Sequence, residues 1–496
     1  MSALPEPAKA VALRFTRELT PLALGAWAAQ CEQALAGGAR LLSLFGRRDG
    51  DDVIVTAVLL PAAGPMDILR GRGPAAEGYP ALTARFPSAQ VFERELWEQT
   101  GIALHDHPWL KPVRFEGARQ TRLHEYPFFQ VRGQEVHEVG VGPIHASVIE
   151  PGHFRFMCHG ETVHHLEIQL GYQHRGVEAL MLARGPQAMA GLAETIAGDS
   201  SIAHAWACCA ALEALGGAPL APEVDRVRGV ALELERIAMH LAALTGLATD
   251  IAFLQGGATY GRLRTAIINA TMRVCGSRFG RGWLRPGGVR FGITPALRTD
   301  LLQTLSDFGR DFHQVNALMR CARTVRARFQ GVGLVSPEAA RDIGLVGVAA
   351  RASGMAFDTR ERLPGLLYSQ HPVAVQAEAD GDCWSRLVLR MREIDASLQW
   401  LQALLAAPDL ALEAPALRPP GPLYHDTLCV SLREGFRGPV LHALETGADG
   451  QLLQVKLQDP SLPNWFGLAL AVRDNEISDF PICNKSFDLS YCGNDL

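Results

Sequence analysis

Ile196-Ala-Gly-Asp-Ser-Ser-Ile-Ala-His204 is a polar cluster at the start of a long apolar segment. The alanine-rich stretch 199–213 ends before a pair of glycines, which predicts a buried helix. Buried polar groups need partners, because each unpaired one costs about 1–3 kcal/mol. One interpretation is that Asp199 or Ser200 caps the helix, with His204 as a hydrogen-bonded core histidine. The alternative is that these groups form a functional site.

The composition excludes several classes of protein. With 496 residues, the chain is expected to form two or more domains. Its net charge of -5, without a basic block, argues against nucleic-acid binding. We expect no membrane span and, from residues 1–7, no signal peptide, and hence a cytoplasmic location. The 10 cysteines contain no C-x-x-C pair, which argues against a self-contained zinc or iron–sulfur site.

Residues 1–120 have the pattern of a small α/β domain. The stretch 21–39 predicts a helix, 40–45 and 53–60 predict strands around a charged turn, and 92–102 predicts a charged amphipathic helix. Residues 121–138 are polar and irregular, and we expect a linker there.

One motif in this first domain is specific. The helix Glu93-Arg-Glu-x-x-x-x-x-Gly-Ile102, followed by His107-Pro108, resembles the small hydrophilic subunit of respiratory complex I. That subunit is a docking module, so the resemblance implies packing and not catalysis.

A different pattern begins at residue 139. Two β-rich runs flank Pro151-Gly152, which predicts a hairpin with His153 near its tip. The stretch 222–247 predicts an amphipathic helix. Its apolar face consists of Val224, Val227, Val230, Leu234, Ile237 and Leu241.

Several motifs follow one another in residues 139–496. They are Gly142-Pro143, Glu150-Pro-Gly-His-Phe-Arg-Phe156, His174-Arg-Gly-Val-Glu178, Glu233-Leu-Glu-Arg-Ile-Ala-Met-His240, Arg285-Pro-Gly-Gly288, Arg351-Ala-Ser-Gly354 and Gly381-Asp382. In this order they resemble the large subunits of membrane-bound (group 4) nickel–iron hydrogenases and the quinone-site subunit of complex I. A small domain fused in front is the arrangement of formate hydrogenlyase large subunits. The resemblance implies an α+β fold in which a mainly helical domain with an N-terminal β-hairpin sheet follows the α/β domain.

The metal ligands of that family are largely absent. A nickel–iron site is held by four cysteine thiolates in two C-x-x-C pairs. The matching positions are Ala197 and Ser200 for the first pair, and Cys483 and Ser486 for the second. One thiolate cannot hold the centre, so we expect neither nickel nor hydrogenase activity. An open alternative, with Cys483 and Cys492 as unusual ligands, predicts nickel in the purified protein.

The complex I relative has also lost these cysteines and binds a quinone headgroup in the same cavity. The resemblance assigns proton donation to His153, paired with Asp250, which lies ten residues after His240. An imidazole held by a carboxylate can protonate a reduced quinone oxygen. The family's tyrosine is missing, because no tyrosine occurs between Tyr172 and Tyr260.

Other positions carry over by the same resemblance. Arg175 and His240 match residues beside the terminal iron–sulfur cluster of the neighbouring small subunit, although Arg236 and His240 could equally form an i,i+4 pair on the helix surface. Arg351 is expected in buried ion pairs with Asp358 and Arg360, with a role in the acceptor site or in proton transfer as the alternative.

These observations support two hypotheses. The first is a peripheral redox subunit at the inner face of the cell membrane, bound to an iron–sulfur subunit and to ion-translocating membrane subunits, with a cavity for a quinone or another acceptor. The second is a non-catalytic scaffold of the same complex. No Gly-x-Gly-x-x-Gly follows a strand, which argues against NADH binding by this chain. The predicted catalytic residues are His153, Asp250, His204 and Asp199, and the predicted cofactor-binding residues are Arg175, His240, Ser200 and Arg351.

Overall fold

A computed structural model describes residues 9–117, 122–131, 133, 135–146 and 149–496. The residues behind the signal-peptide prediction lie outside this range, as do a few positions of the predicted linker and hairpin.

Runs of strands and runs of helices follow one another along the chain, which confirms the predicted α+β class. The strands are β1 (Val11–Phe15), β2 (Leu22–Ala23), β3 (Arg40–Asp49), β4 (Asp52–Leu60), β5 (Asp67–Pro74), β6 (Tyr79–Pro80), β7 (Leu104–His105), β8 (Val136–Val141), β9 (His153–His159), β10 (Thr162–Gln169), β11 (Leu284–Arg285), β12 (Gly288–Val289), β13 (Thr427–Glu434), β14 (Pro439–Thr446) and β15 (Leu452–Gln458). The helices are α1 (Leu24–Ala36), α2 (Gln90–Thr100), α3 (Val177–Arg184), α4 (Pro186–Ala193), α5 (Ser201–Leu215), α6 (Pro222–Asp250), α7 (Leu254–Cys275), α8 (Pro295–Cys321), α9 (Arg323–Phe329), α10 (Pro337–Asp342), α11 (Gly347–Ala352), α12 (Thr359–Arg362), α13 (Leu366–Gln370), α14 (Cys383–Ala406), α15 (Ser461–Ala471), α16 (Phe480–Phe487) and α17 (Tyr491–Asp495).

The first sheet has the strand order β2-β5-β4-β3 and packs against α1 and α2. The predicted strands 40–45 and 53–60 are confirmed as β3 and β4, and β3 continues to Asp49 through the hairpin. The predicted helix 21–39 begins later, at Leu24, because Leu22–Ala23 pair with β5 instead.

The charged helix α2 is confirmed, but its acidic side chains are buried. Glu93 accepts hydrogen bonds from the backbone N–H groups of Leu82 and Thr83, at 2.9 and 3.0 Å. Glu98 accepts three from the backbone of residues 113–115. The charges of α2 therefore organise the loops around it, and few of them face solvent.

The chain's first strand lies in a sheet formed mostly by its last third. The order is β1-β13-β14-β15, and Val11 lies opposite Ser431. One core cluster contains Leu42 and Phe45 from β3 together with Leu428 and Val430 from β13. The boundary at residue 120 stays a prediction, but the two parts share a hydrophobic core.

The predicted hairpin is broader than its sequence pattern indicates. The strands β10, β9 and β8 form an antiparallel sheet, with Val141 opposite Phe154. The strand before Pro151-Gly152 ends at Val141, and a loop leads to His153, the first residue of β9. The antiparallel pairing and the place of His153 next to the connection are therefore confirmed, although residues 142–152, and not Pro151-Gly152 alone, separate the two strands.

The helical part is built around α6, which packs against α7, α14 and α5. All six residues of its predicted apolar face are buried. The helix was predicted for 222–247 and ends at Asp250. Among the described helices, none is both long and apolar enough to cross a membrane.

Candidate functional site

The start of α5 is capped by a residue from another helix. The backbone N–H groups of Ile202 and Ala203 donate to the Glu235 carboxylate, at 2.7 and 3.1 Å. The predicted cap by Asp199 or Ser200 was therefore wrong, since neither side chain accepts a bond from the first turn. Burial raises the pKa of Glu235 to about 8, although the two N–H groups favour its charged form.

Asp199 forms a two-pronged ion pair with Arg437. The two guanidinium nitrogens lie 2.7 and 2.6 Å from the carboxylate oxygens. Arg437 is buried, and its side chain also donates to the carbonyl oxygen of Asp488. Burial opposes the charge of Arg437, but Asp199 and other acidic neighbours outweigh it and raise the pKa. The ion pair thus connects the segment before α5 to the turn after β13.

His204 belongs to a buried chain of titratable groups. Its Nε2 lies 3.0 Å from Asp459 Oδ2, and its Nδ1 lies 3.1 Å from His442 Nε2. Burial penalises the charge of Asp459, but the bond from His204 outweighs it, so the pKa of Asp459 is low. Burial, reinforced by His204, holds the pKa of His442 well below its usual value. The expected hydrogen-bonded core histidine is confirmed, and the two imidazoles can exchange a proton.

The outer nitrogen of this chain lacks a partner. His442 Nδ1 is buried and makes no hydrogen bond among the described residues. The same holds for the hydroxyl of Ser431, the residue directly opposite His442 on β13. The buried chain of Asp459, His204 and His442 therefore ends at an unsatisfied nitrogen. An unsatisfied hydroxyl, that of Ser431, lies opposite it on the neighbouring strand.

His240 lies in a second buried network, on α6. Its Nε2 is 2.9 Å from Glu393, and its Nδ1 is 3.1 Å from Arg390, both on α14. Burial lowers the pKa of His240 to about 4, although Glu393 opposes the shift. Arg236 bonds Glu233 and the backbone of residues 434–435. The surface pairing of Arg236 with His240 was wrong, because both side chains are fully buried and point to different partners.

Arg351 joins the same network. It lies 2.7 Å from Glu393 and 2.8 Å from Glu434. Asp358 lies 3.6 Å from Arg351 and 2.7 Å from Arg360, which confirms the predicted buried ion pairs. Arg351 has no exposed surface, so its role in an acceptor site stays a prediction.

His153 and Asp250 are not brought together by a hydrogen bond or an ion pair in the described part of the chain. Nδ1 of His153 lies 3.2 Å from the carbonyl oxygen of Gly142, and the ring contacts Phe128 at 5.4 Å between centroids. Asp250 is exposed at the end of α6. The pairing carried over from the family is therefore wrong here, because the His153 ring bonds the carbonyl oxygen of Gly142 and Asp250 faces solvent.

Arg175 is exposed and holds three carbonyl oxygens. Its guanidinium donates to Thr195 and Ile196, at 2.7 and 2.9 Å, and to Cys492 at 3.4 Å. Arg175 thus connects the C-terminal helix α17 to the segment just before Ala197.

The second pair of expected ligand positions lies on α16. Ser486 Oγ donates to the carbonyl oxygen of Cys483 at 2.7 Å and accepts from Arg386 Nε at 2.8 Å. The Sγ of Cys483 lies 3.9 Å from that of Cys383. Cys492 Sγ instead contacts the hydroxyl of Ser490 at 3.3 Å.

Sequence reasoning missed several of these partners. Glu235, Arg437, His442, Asp459 and Glu393 meet the predicted residues only through long-range packing. One signal was present: Arg386, Arg390 and Glu393 recur at spacings of four and three residues in α14 and therefore share one face of the helix. Such charges indicate buried ion pairs.

Comparison with known proteins gives consistent relatives. Residues 250–419 match the family described as respiratory-chain NADH dehydrogenase, 49 Kd subunit. Formate hydrogenlyase subunit 5 of Escherichia coli (strain K12) is 29% identical over 446 residues, which cover 83% of this chain and 76% of the relative. An NADH-quinone oxidoreductase subunit of the C/D type from Bacteroides thetaiotaomicron is 27% identical over 448 residues, 82% of this chain and 83% of the relative. The carbon monoxide-induced hydrogenase of Rhodospirillum rubrum is 28% identical over 352 residues, 71% of this chain and 96% of the relative.

The chain therefore resembles hydrogenase large subunits and the complex I 49 kDa subunit. The residues at the positions expected to hold a nickel–iron centre do not fit one. Ala197 supplies no ligand atom, and Ser200 and Ser486 supply hydroxyls where thiolates are needed. Among the described residues, no group of three or more His, Cys, Asp or Glu side chains could hold a metal ion.

One tyrosine reaches the region of the hairpin from the far end of the chain. A Cβ atom added at Gly152 would lie 2.8 Å from the ring of Tyr491 on α17. The Tyr491 hydroxyl lies 3.4 Å from Asn484 Nδ2. Burial raises the pKa of Tyr491 to about 12, although the bond from Asn484 opposes the shift. Tyr491 therefore lies beside the residue that precedes His153.

Proposed function

We propose that this chain is the peripheral redox-coupling subunit of a membrane-attached complex. It would take electrons from an iron–sulfur partner subunit, pass them to a small acceptor and couple this transfer to ion translocation by membrane subunits. Some of its relatives are named NADH-quinone oxidoreductase subunits, so quinone is the acceptor class that we propose first. The proposal includes no nickel–iron site.

The observation that carries the proposal is the polar cluster at the start of α5. Asp199, Glu235 and His204 converge there, around positions that lack thiolates. Reduction of a quinone consumes protons as well as electrons. Glu235, with a pKa of about 8, can hold a proton at neutral pH, and the hydrogen bond between the His204 and His442 imidazoles offers a path for one.

Side chains nearby suit a partner subunit. Arg175 is exposed, and Ile144 and Ile149 on the neighbouring loop are 81% and 53% exposed. An exposed cation together with exposed apolar side chains is typical of a protein interface. A cation near an iron–sulfur cluster of that partner would raise the cluster's reduction potential.

His153 is the residue that we propose to protonate the acceptor. Its Nδ1 donates to a backbone carbonyl, and Nε2 makes no hydrogen bond among the described residues, so that the imidazolium form would donate its Nε2 proton to the acceptor. Tyr491 lies beside the preceding Gly152 and supplies the phenol that the family places elsewhere. These two groups form the proposed headgroup site.

The test is electron transfer by the complex purified through a tag on this chain. Viologen reduced by dithionite serves as the artificial donor, and decylubiquinone is the acceptor. We expect His153→Ala to lower the rate about 100-fold, since a positioned proton donor contributes 10²–10⁴-fold. His159→Ala is the matched control, because His159 ends the same strand and is exposed. Equal rates in the two variants would overturn the catalytic proposal.

Elemental analysis of the same preparation tests the absence of nickel. Iron without nickel supports a cluster-bearing partner beside this chain. Nickel at one atom per chain would contradict the assignment of Ala197, Ser200 and Ser486 as lost ligands.

A scaffold without chemistry of its own is the second candidate. It is favoured by Lys456 on β15, which lies 2.5 Å from Glu95 on α2 and 3.1 Å from Glu178 on α3. This bridge joins the N-terminal α/β unit to the remainder of the chain. The scaffold hypothesis predicts that Lys456→Met prevents assembly of the complex, whereas His153→Ala leaves turnover unchanged.

A further inference from the structure

Two thiols from distant parts of the sequence meet in the core. Cys383 is the first residue of α14, and Cys483 lies in α16. Their sulfur atoms are 3.9 Å apart, and neither residue has exposed surface. Cys483 is the one position of the family's ligand set that retains a cysteine, whereas Cys383 lies outside that set.

Two neighbouring residues, Arg386 and Gly333, accommodate the sulfur atoms of this pair. Arg386 Nη2 lies 3.4 Å from Cys383 Sγ, and a guanidinium at this distance stabilises a thiolate. Gly333 has a φ of +66°, and a Cβ added there would lie 2.8 Å from Cys483 Sγ and 2.9 Å from Cys383 Sγ. Glycine at this position therefore leaves the space that both sulfurs occupy.

We propose that Cys383 and Cys483 are a reversible thiol–disulfide pair, oxidised by a small peroxide and reduced by a dithiol. The sulfur atoms have to approach from 3.9 Å to the roughly 2.05 Å of a disulfide bond. This oxidation site is independent of the proposed quinone chemistry, since it uses neither His153 nor the cluster at the start of α5.

The reaction balances with hydrogen peroxide as the oxidant. The thiolate of Cys383 attacks one peroxide oxygen, which breaks the O–O bond and gives a sulfenic acid at Cys383 and a water molecule once the leaving hydroxide is protonated. The sulfur of Cys483 then attacks the sulfenic sulfur, the S–O bond breaks, and a second water molecule leaves. The two sulfurs together lose two electrons, and the two peroxide oxygens gain them.

The disulfide bond would connect α14 and α16, which hydrogen bonds already join. Arg386 and Arg390 on α14 donate to the Ser486 hydroxyl and to the carbonyl oxygens of residues 486–487. A disulfide would add a covalent link between α14 and α16 at the same place. Oxidation is therefore expected to lock the C-terminal segment against α14.

The test is peptide mapping of the full chain after exposure to hydrogen peroxide. The protein is purified with reductant, desalted and treated with hydrogen peroxide. It is then unfolded in denaturant that contains N-ethylmaleimide, which labels the remaining free thiols, and digested with trypsin. Each thiol lies in a single-cysteine peptide, 363–386 for Cys383 and 474–485 for Cys483. We expect these two peptides to become linked in most of the chains, and dithiothreitol to release them.

Two variants separate this pair from other thiols. Cys383→Ser should abolish the linked peptide, and Cys492→Ser, which changes the peptide 486–496, should leave it unchanged. Recovery of both wild-type peptides fully labelled with maleimide after peroxide would overturn the proposal. So would a link from Cys483 to Cys492, or irreversible oxidation of Cys383 without a link. The wild-type result decides the matter even if Cys383→Ser fails to fold.

Discussion

Replacement of Glu235 by glutamine tests the unusual carboxylate that caps α5. The pKa of this group is about 8, against an ordinary value of 4.5. Since one pKa unit corresponds to 1.36 kcal/mol, the difference amounts to about 5 kcal/mol. The folded state binds the proton more tightly than the unfolded chain does. The stability associated with this group is therefore fully present below pH 4.5 and is lost as pH rises through 8.

The variant Glu235→Gln no longer titrates at this position. Its amide accepts from only one of the two N–H groups of Ile202 and Ala203, which costs about 1 kcal/mol. Between pH 5.5 and 9 the wild-type chain should lose about 3 kcal/mol more stability than the variant. We therefore expect the variant to be the less stable protein at pH 5.5 and the more stable one at pH 9.

Urea unfolding at several pH values, followed by tryptophan fluorescence, measures this difference. Glu77→Gln is a matched control at an exposed glutamate, and its stability should follow that of the wild type at every pH. If the difference in stability between the wild type and Glu235→Gln stays constant from pH 5.5 to 9, the argument is refuted, because Glu235 then does not change its protonation over this range.

Two further predictions concern the ion pairs. Arg351→Met leaves the buried carboxylates of Glu393 and Glu434 without their main cation, and we expect it to lower the free energy of unfolding by about 3–5 kcal/mol, measured as the urea midpoint. A loss below about 1 kcal/mol would contradict this. Asp199→Asn removes one side of the pair with Arg437, but the Asp199 side chain is 36% exposed, so we expect a loss of only about 1 kcal/mol in the same assay. A loss as large as that of Arg351→Met would show that water does not screen this pair.

Sequence patterns predicted the elements whose signal is local. The hairpin of β3 and β4 follows from two apolar runs around a charged turn, and the buried face of α6 follows from its helical spacing. The ion pairs of Arg351, Asp358 and Arg360 were expected because charges beside a glycine-rich turn need partners when buried. The order of motifs along the chain indicated the resemblance to hydrogenase large subunits, and the relatives found by comparison agree with it.

The sequence by itself therefore indicated the set of elements and the resemblance to hydrogenase large subunits, and the residues at Ala197, Ser200 and Ser486 cannot supply thiolates. Only the tertiary structure decided which groups meet. Glu235 reaches the start of α5 across 33 residues, and Cys383 meets Cys483 across 100. The physical reason is that helix and strand periodicity depends on neighbours a few residues apart, whereas a cap, a relay or a thiol pair depends on how distant elements pack.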